Sequence, residues 1–168
     1  MHNVIIALSG RMGSGKTESA KRIKRAYGGS CEVVSTSDYI KSRSGVIDRE
    51  GLQRGGHTLD MADPRWICGA MKRRKWITVV DCVRSMAQVS LMRGLPGSEV
   101  VHVHLDVPWN SITKNRPEVG SFNHDELESD KNQDEMKLCA DKVIDGYADW
   151  EYKPRKRLDV IIGEQFGS

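Results

Sequence analysis

The sequence predicts an α/β fold: a five-stranded parallel sheet with helices on both faces. Three observations predict it. Apolar runs of strand length alternate along the chain with stretches of helical pattern. The first of these runs passes through a glycine-rich turn straight into a helix. The 168 residues, 38% hydrophobic and 29% charged, suit one globular domain without internal repeats or a linker.

The elements follow in order. Val4-Ile5-Ile6-Ala7-Leu8 is a continuous apolar run closed by Ser9-Gly10, the pattern of a buried parallel strand. A helix is expected from Lys16 to about Tyr27, stopped by Gly28-Gly29, with Lys21, Arg22, Lys24 and Arg25 on its outer face. Residues 32–35 read as the second strand, with Ser37 or Asp38 at the mouth of another helical turn. Glycines at 45, 51, 55 and 56 among polar residues predict only a short helix from Asp48 to about Arg54, then an irregular stretch. Asp63 and Pro64 read as the N-cap and first residue of a helix running to about Arg73. Residues 76–81 form the third strand, 87–93 a helix, 99–106 the fourth strand and 108–116 another helix. A loop over 117–124, a charged helix over 125–139 and a short strand at Val143-Ile144 follow. A last helix opens at Pro154, with Leu158, Ile161, Ile162 and Phe166 sharing a face.

The first strand leads into Gly10-Arg11-Met12-Gly13-Ser14-Gly15-Lys16-Thr17, which fits G-x-x-x-x-G-K-[ST] at every fixed position. The glycines let the backbone turn so that successive N–H groups point inward at a phosphate. The following helix adds its positive N-terminal end. Lys16 is placed to reach the β- and γ-phosphates of ATP, and the Thr17 hydroxyl to ligate Mg²⁺. Strand before and helix after are the context this loop requires. Ile77-Thr78-Val79-Val80-Asp81 adds a carboxylate at the C-terminal end of a strand, where an aspartate can hold a Mg²⁺-bound water. The expected cofactors are therefore ATP and Mg²⁺, and the expected chemistry is phosphoryl transfer.

Several classes are excluded or disfavoured. The Asn-Lys-x-Asp base-reading motif of GTPases is absent, and the chain is short for a motor with its transducing parts. No apolar run approaches the roughly 20 residues of a membrane span. Met1-His2-Asn3 enters a strand with no basic segment or cleavage site before it, so a cytoplasmic location is expected, the host cytoplasm if the source is viral. Cys31, Cys68, Cys82 and Cys139 are scattered, which suits reduced thiols better than disulfides or zinc.

Further segments carry a family resemblance. Ser35-Thr36-Ser37-Asp38-Tyr39-Ile40, Asp48-Arg49-Glu50-Gly51-Leu52-Gln53-Arg54-Gly55, Val79-Val80-Asp81-Cys82-Val83-Arg84-Ser85 and His102-Val103-His104-Leu105-Asp106-Val107-Pro108 follow the loop in order. The set resembles the nucleoside-monophosphate-kinase-like group of P-loop kinases, with phage deoxynucleoside monophosphate kinases and dephospho-coenzyme A kinases as the nearest likeness. The resemblance spans roughly residues 3–145 and implies a three-layer P-loop NTPase fold, with 1–168 read as one domain, an acceptor-binding insert at about 42–75 and a short lid at about 109–124. It implies that Asp38 is a general base for a hydroxyl acceptor. By the same resemblance Arg49, Gln53 and Arg84 bind the acceptor, and Lys114 and Arg116 are the basic residues of the lid. That lid lacks the usual R-x(n)-R set, which leaves room for a larger acceptor.

The acceptor expected first is a deoxynucleoside monophosphate. The alternatives are a hydroxyl in DNA, such as a 5-hydroxymethylated pyrimidine, or a dephospho-coenzyme A-type molecule. Net charge +3 and the run Lys72-Arg73-Arg74-Lys75 leave nucleic acid open as a partner, as does a second run at Arg155-Lys156-Arg157. His102 and His104 share a strand face and read as packing rather than as metal ligands. Trp66, Trp76, Trp109 and Trp150 could stack on bases, with core packing expected for at least two. The sequence leaves the oligomeric state open.

Overall fold

The computed structural model describes residues 3–72, 75–121 and 132–145. Its five strands are β1 (Asn3–Ser9), β2 (Cys31–Val34), β3 (Ile77–Val80), β4 (Ser98–Asp106) and β5 (Lys142–Asp145). They form one sheet in the order β2-β3-β1-β4-β5, every neighbouring pair parallel. Helices α1 (Lys16–Tyr27), α2 (Thr36–Ser44), α3 (Arg49–Ala62), α4 (Trp66–Ala70), α5 (Met86–Arg93), α6 (Trp109–Asn115) and α7 (Gln133–Leu138) connect them. The expected α/β architecture is present.

Period-two alternation in β1 divides the core. Val4, Ile6 and Leu8 pack with Ala20 and Ile23 of α1 on one face. Ile5 and Ala7 pack on the other with Ile40 of α2, Leu52 of α3, Trp66 and Ile67 of α4, Val89 and Met92 of α5 and Met136 of α7. β1 lies between β3 and β4, buried on both faces, which is why it reads as an unbroken apolar run.

Two expectations are corrected. The irregular stretch after residue 54 is helix: α3 runs 14 residues, straight through Gly55 and Gly56. Asp48 caps it, its Oδ1 accepting the Gly51 N–H at 2.8 Å. Glycine weakens a helix interior, yet here each one admits a neighbour. A β-carbon at Gly51 would strike Val46, and one at Gly55 would lie 2.9 Å from Ile40 Cγ2 of α2. Asp63 therefore closes α3 instead of opening the next helix. Its carboxylate accepts the Arg65 N–H at 3.0 Å to form the corner, and α4 spans only Trp66–Ala70. Trp66 packs inward, its ring stacked 5.3 Å from Tyr39, and Trp109 packs against the cluster of Met12 and Ile112. Trp150, the strand-following helix from Pro154 and the Arg155-Lys156-Arg157 run lie outside the described residues, as do residues 122–131 of the expected loop and charged helix.

No helix among the described residues is long and apolar enough to cross a membrane.

Candidate active site

The C-terminal ends of β1, β2 and β3 converge on one cleft. This is the crevice beside the strand where the connections diverge, the usual ligand position in an open parallel sheet. The loop after β1 forms its floor. Gly10 has φ 139°, and a β-carbon there would lie 2.6 Å from the Leu105 carbonyl oxygen of β4. Gly13 has φ 82° and would meet Ile112 Cγ2 of α6 at 2.6 Å. Both positions thus require glycine for backbone and for space. Met12 is buried between them against Val107, Ile112 and Val119 and anchors the loop. Gly15 caps α1 without a side-chain bond, so the first N–H groups of the helix remain directed at the cleft. Ser14 is fully buried within the loop.

Lys16 folds back over its own loop. Its Nζ donates to the Gly10 carbonyl at 2.6 Å and the Arg11 carbonyl at 2.8 Å. Thr17 is exposed at the start of α1 and lines the same cavity of about 330 Å³. Asp81 closes it from β3, 5% exposed. Its Oδ1 accepts the Thr36 N–H at 3.1 Å and the Thr36 hydroxyl at 3.4 Å. Burial raises the Asp81 pKa above the usual carboxylate range, opposed by the Thr36 bonds and the Lys16 charge, with Asp38 adding to the rise. Thr36, which sequence reasoning passed over, is the residue that orients this carboxylate.

The opposite wall comes from α3 and the β3–α5 connection. Arg84 is 8% exposed, and its Nη2 donates to Gln53 Oε1 at 2.6 Å. Both residues line the cavity with Leu52 and Cys82. The Arg84 N–H is held by Gln88 Oε1 at 2.8 Å. Gln88 Nε2 and Trp66 Nε1 both donate to Asp60 Oδ1, at 2.8 and 2.7 Å. The second Asp60 oxygen stands 4.0 Å from Arg84 Nε. Asp60, Gln88 and Gly56 carried no sequence motif, and no local pattern marks them as one network.

Not every expected residue joins the cleft. Ser37 lines it, whereas Asp38 is exposed on α2 and its carboxylate lies 3.8 Å from Lys41 Nζ. Arg116 lines the cavity and pairs with Glu118 Oε1 at 2.9 Å. Lys114 is exposed on α6 and is not among the lining residues. Arg49 begins α3, and its side chain lies outside the described residues. Lys72 and Lys75 are exposed at the entrance to β3, while Arg73 and Arg74 lie outside the described residues. From Lys75 to Asp81 the chain climbs along the strand at about 3.3 Å per residue, so Lys75 sits ~20 Å from Asp81, toward the opposite end of the sheet.

Under the loop lies a buried polar cluster. Ser9 Oγ stands 2.8 Å from His102 Nε2 and 2.9 Å from His104 Nδ1. Desolvation pushes both histidines down to about 4, with their mutual repulsion adding to the shift at His104. They are neutral at pH 7, and one hydroxyl can donate to one ring while accepting from the other.

No protein-family model matches this chain, and no curated protein does. Solved structures do. The shikimate kinase of Aquifex aeolicus vf5 superimposes with a TM-score of 0.67 at 15% identity, over 98% of this chain and 99% of that one. The Acinetobacter baumannii shikimate kinase, solved in complex with shikimate, gives 0.60 at 13% identity over 99% and 96%. That of Bacteroides thetaiotaomicron gives 0.59 at 15% identity over 95% and 98%. The likeness therefore spans essentially the whole of each chain, and the fold of this protein is the three-layer P-loop NTPase fold that such kinases adopt.

Proposed function

We propose that this protein is an ATP- and Mg²⁺-dependent phosphotransferase acting on a small nucleotide-type acceptor, a deoxynucleoside monophosphate in the first instance. One observation carries the reading. The phosphate loop, Gln53 of α3 and the Asp81–Arg84 segment with its carboxylate and guanidinium, from three distant stretches of sequence, line one cavity. Loop amides and Lys16 take the ATP phosphates. The Mg²⁺ site fits the residues present: the Thr17 hydroxyl borders the cavity, and both Thr36 bonds to Asp81 use Oδ1, which leaves Oδ2 for the cation or its water. Bound there, the metal neutralises charge on the phosphates. Residues 42–75 supply the acceptor wall through Gln53, with Arg49 at the start of the same helix. Residues 109–124 supply the lid through Arg116, with Lys114 on its outer side.

Two observations favour an acceptor that is already ionised. Asp38 is exposed and engaged with Lys41, away from the cavity lining, so it is poorly placed to take a hydroxyl proton. A phosphate acceptor needs no such base, and Arg84 offers it a planar fork. Lys72 and Lys75 are absent from the cavity lining, and the distance of Lys75 from Asp81 favours a free nucleotide over DNA.

The structural likeness to shikimate kinases supports a second reading, a hydroxylated small-molecule acid as acceptor. An ADP-release screen separates them. It covers deoxynucleoside monophosphates, nucleosides, dephospho-coenzyme A, shikimate, plain DNA and hydroxymethylated DNA. The first class is expected to raise turnover most; turnover that no acceptor increases would remove the kinase reading.

A further inference from the structure

Arg84 is held in an unusual seat. A β-carbon at Gly56 would lie 3.0 Å from Arg84 Nε and nearer still to Nη1 and Cζ, so the guanidinium rests directly on the backbone of α3. Around it stand Gln53 Oε1, which accepts from Nη2, and Asp60, whose Oδ2 is 4.0 Å from Nε. Asp60 is itself fixed by Gln88 and Trp66, both bonded to Oδ1. Two donors thus occupy one Asp60 oxygen, and the other stands beyond hydrogen-bond reach of the guanidinium, at a distance long for an ion pair. A buried guanidinium so loosely compensated is poised for a second anion. Gln53 and Arg84 line the cavity, so that anion arrives from the cleft.

We infer that Gly56 is a specificity-determining position and Asp60 a positioning residue: the absent side chain at 56 and the carboxylate at 60 set the Arg84 guanidinium where it receives the phosphate of the acceptor. This rests on the kinase reading for the identity of the cleft, but not for the geometry of the seat. It also accounts for a glycine pair in the middle of a 14-residue helix. Gly55 makes room for α2, and Gly56 makes room for a charge. An alanine at 56 would improve the helix and displace only the far end of a flexible side chain. The fold should survive while the seat is lost.

The test uses the full chain loaded with Mg²⁺ and ADP, so that the phosphate loop is occupied, and inorganic phosphate as the probe. The ¹⁵N–¹H signal of Arg84 Nε reports on the seat, and calorimetry on ADP. Wild type is expected to shift its Arg84 signal saturably with phosphate. In Gly56→Ala, phosphate affinity should fall at least tenfold, with ADP affinity within twofold and thermal stability unchanged or higher. Gly69→Ala, at a helical glycine with nothing within 4 Å, should match wild type throughout. Asp60→Asn covers the case in which Gly56→Ala fails to fold. It keeps an oxygen for Gln88 and Trp66 but removes the charge facing Arg84. If Asp60 merely competes for the guanidinium, phosphate binds more tightly in this variant; if it positions the guanidinium, binding weakens several-fold. An Arg84 signal that phosphate leaves unmoved, Gly56→Ala affinity within twofold of wild type, or tighter binding in Asp60→Asn would each overturn the inference. Failure of wild type to bind ADP would instead strike the kinase reading.

Discussion

The two walls of the cleft are made in different ways. The proposed donor wall is one run of eight residues, 10–17, with strand before it and helix after. Its geometry is written in local backbone requirements, above all the positive φ of Gly10 and Gly13. The proposed acceptor wall joins Gln53 and Gly56 of α3 to Arg84 after β3, residues some 31 positions apart in the closest bonded pair. Nothing local dictates it. A contiguous anion site keeps its shape so long as its own turns are intact, whereas an assembled one depends on helix packing and on the exact volume of facing side chains. Substitutions should therefore act differently on the two walls.

The largest effect is expected at Lys16. Lys16→Ala removes the charge proposed to span the β- and γ-phosphates, typically several kcal/mol of transition-state stabilisation. Turnover should fall at least ~10³-fold, with circular dichroism and thermal unfolding unchanged, because among the described residues Nζ bonds just two carbonyls of its own loop. A folded variant with near-normal turnover would break the comparison at its root, since the donor wall would then not be a donor site.

Asp81 tests the boundary between the walls. Asp81→Asn should lower kcat by about 10²-fold and raise the Mg²⁺ concentration needed for half-maximal rate. Stability should move the other way. The folded-state pKa of Asp81 is raised by burial, so its ionised form opposes folding at pH 7 and does so less as pH falls toward the carboxylate range. The neutral amide removes that cost and can still accept the Thr36 bonds. Chemical denaturation at pH 7 should show a variant at least as stable as wild type; a clear loss of stability would mean that the Thr36 pairing depends on the charge.

The donor wall is less self-contained than its motif suggests. Ser9, immediately before the loop, is tied to His102 and His104 of β4. Both pKa values lie at about 4, below the usual 6.5, so the unfolded chain binds more protons between those limits. The stabilisation is complete above about pH 6.5 and is lost as pH falls toward 4. In the limit of independent sites this amounts to about 2 kcal/mol per histidine between pH 7 and pH 5. Urea midpoints at the two pH values measure it. His102→Gln, whose amide can still reach Ser9, should cut the pH dependence by about half; an undiminished slope would place the titration elsewhere.

What could be read in the sequence follows the same division. Strand order aside, β1, α1, β3, β4 and the phosphate loop were legible because apolar runs and a glycine motif are local signals. α3 was misread because glycine is ordinarily a helix breaker, and only its neighbours, Val46, Ile40 and Arg84, explain why it is tolerated. The Thr36–Asp81 contact joins residues 45 apart, and the Arg84 network joins α3, α4 and α5. The resemblance singled out Arg84 and Gln53, which the structure brings together in the cavity lining, but it could not give the seat beneath them.

The smallest effect is expected at Asp38, and it bears on which acceptor the assembled wall receives. The residue follows β2 at the position where the sequence resemblance leads one to expect a base for a hydroxyl acceptor, yet its carboxylate is exposed beside Lys41. An exposed i,i+3 pair of this kind contributes little to stability. If the acceptor is a monophosphate, no proton must be removed before attack, and Asp38→Asn should change kcat by less than about threefold, with any loss confined to KM. If the acceptor is a hydroxyl, α2 must turn Asp38 into the cleft during turnover, and the same substitution should cost ~10²-fold in kcat with a shifted acid limb of the pH–rate profile. Steady-state kinetics of this one variant on the best acceptor from the screen therefore distinguishes a wall built for a phosphate from one that reorganises around a hydroxyl.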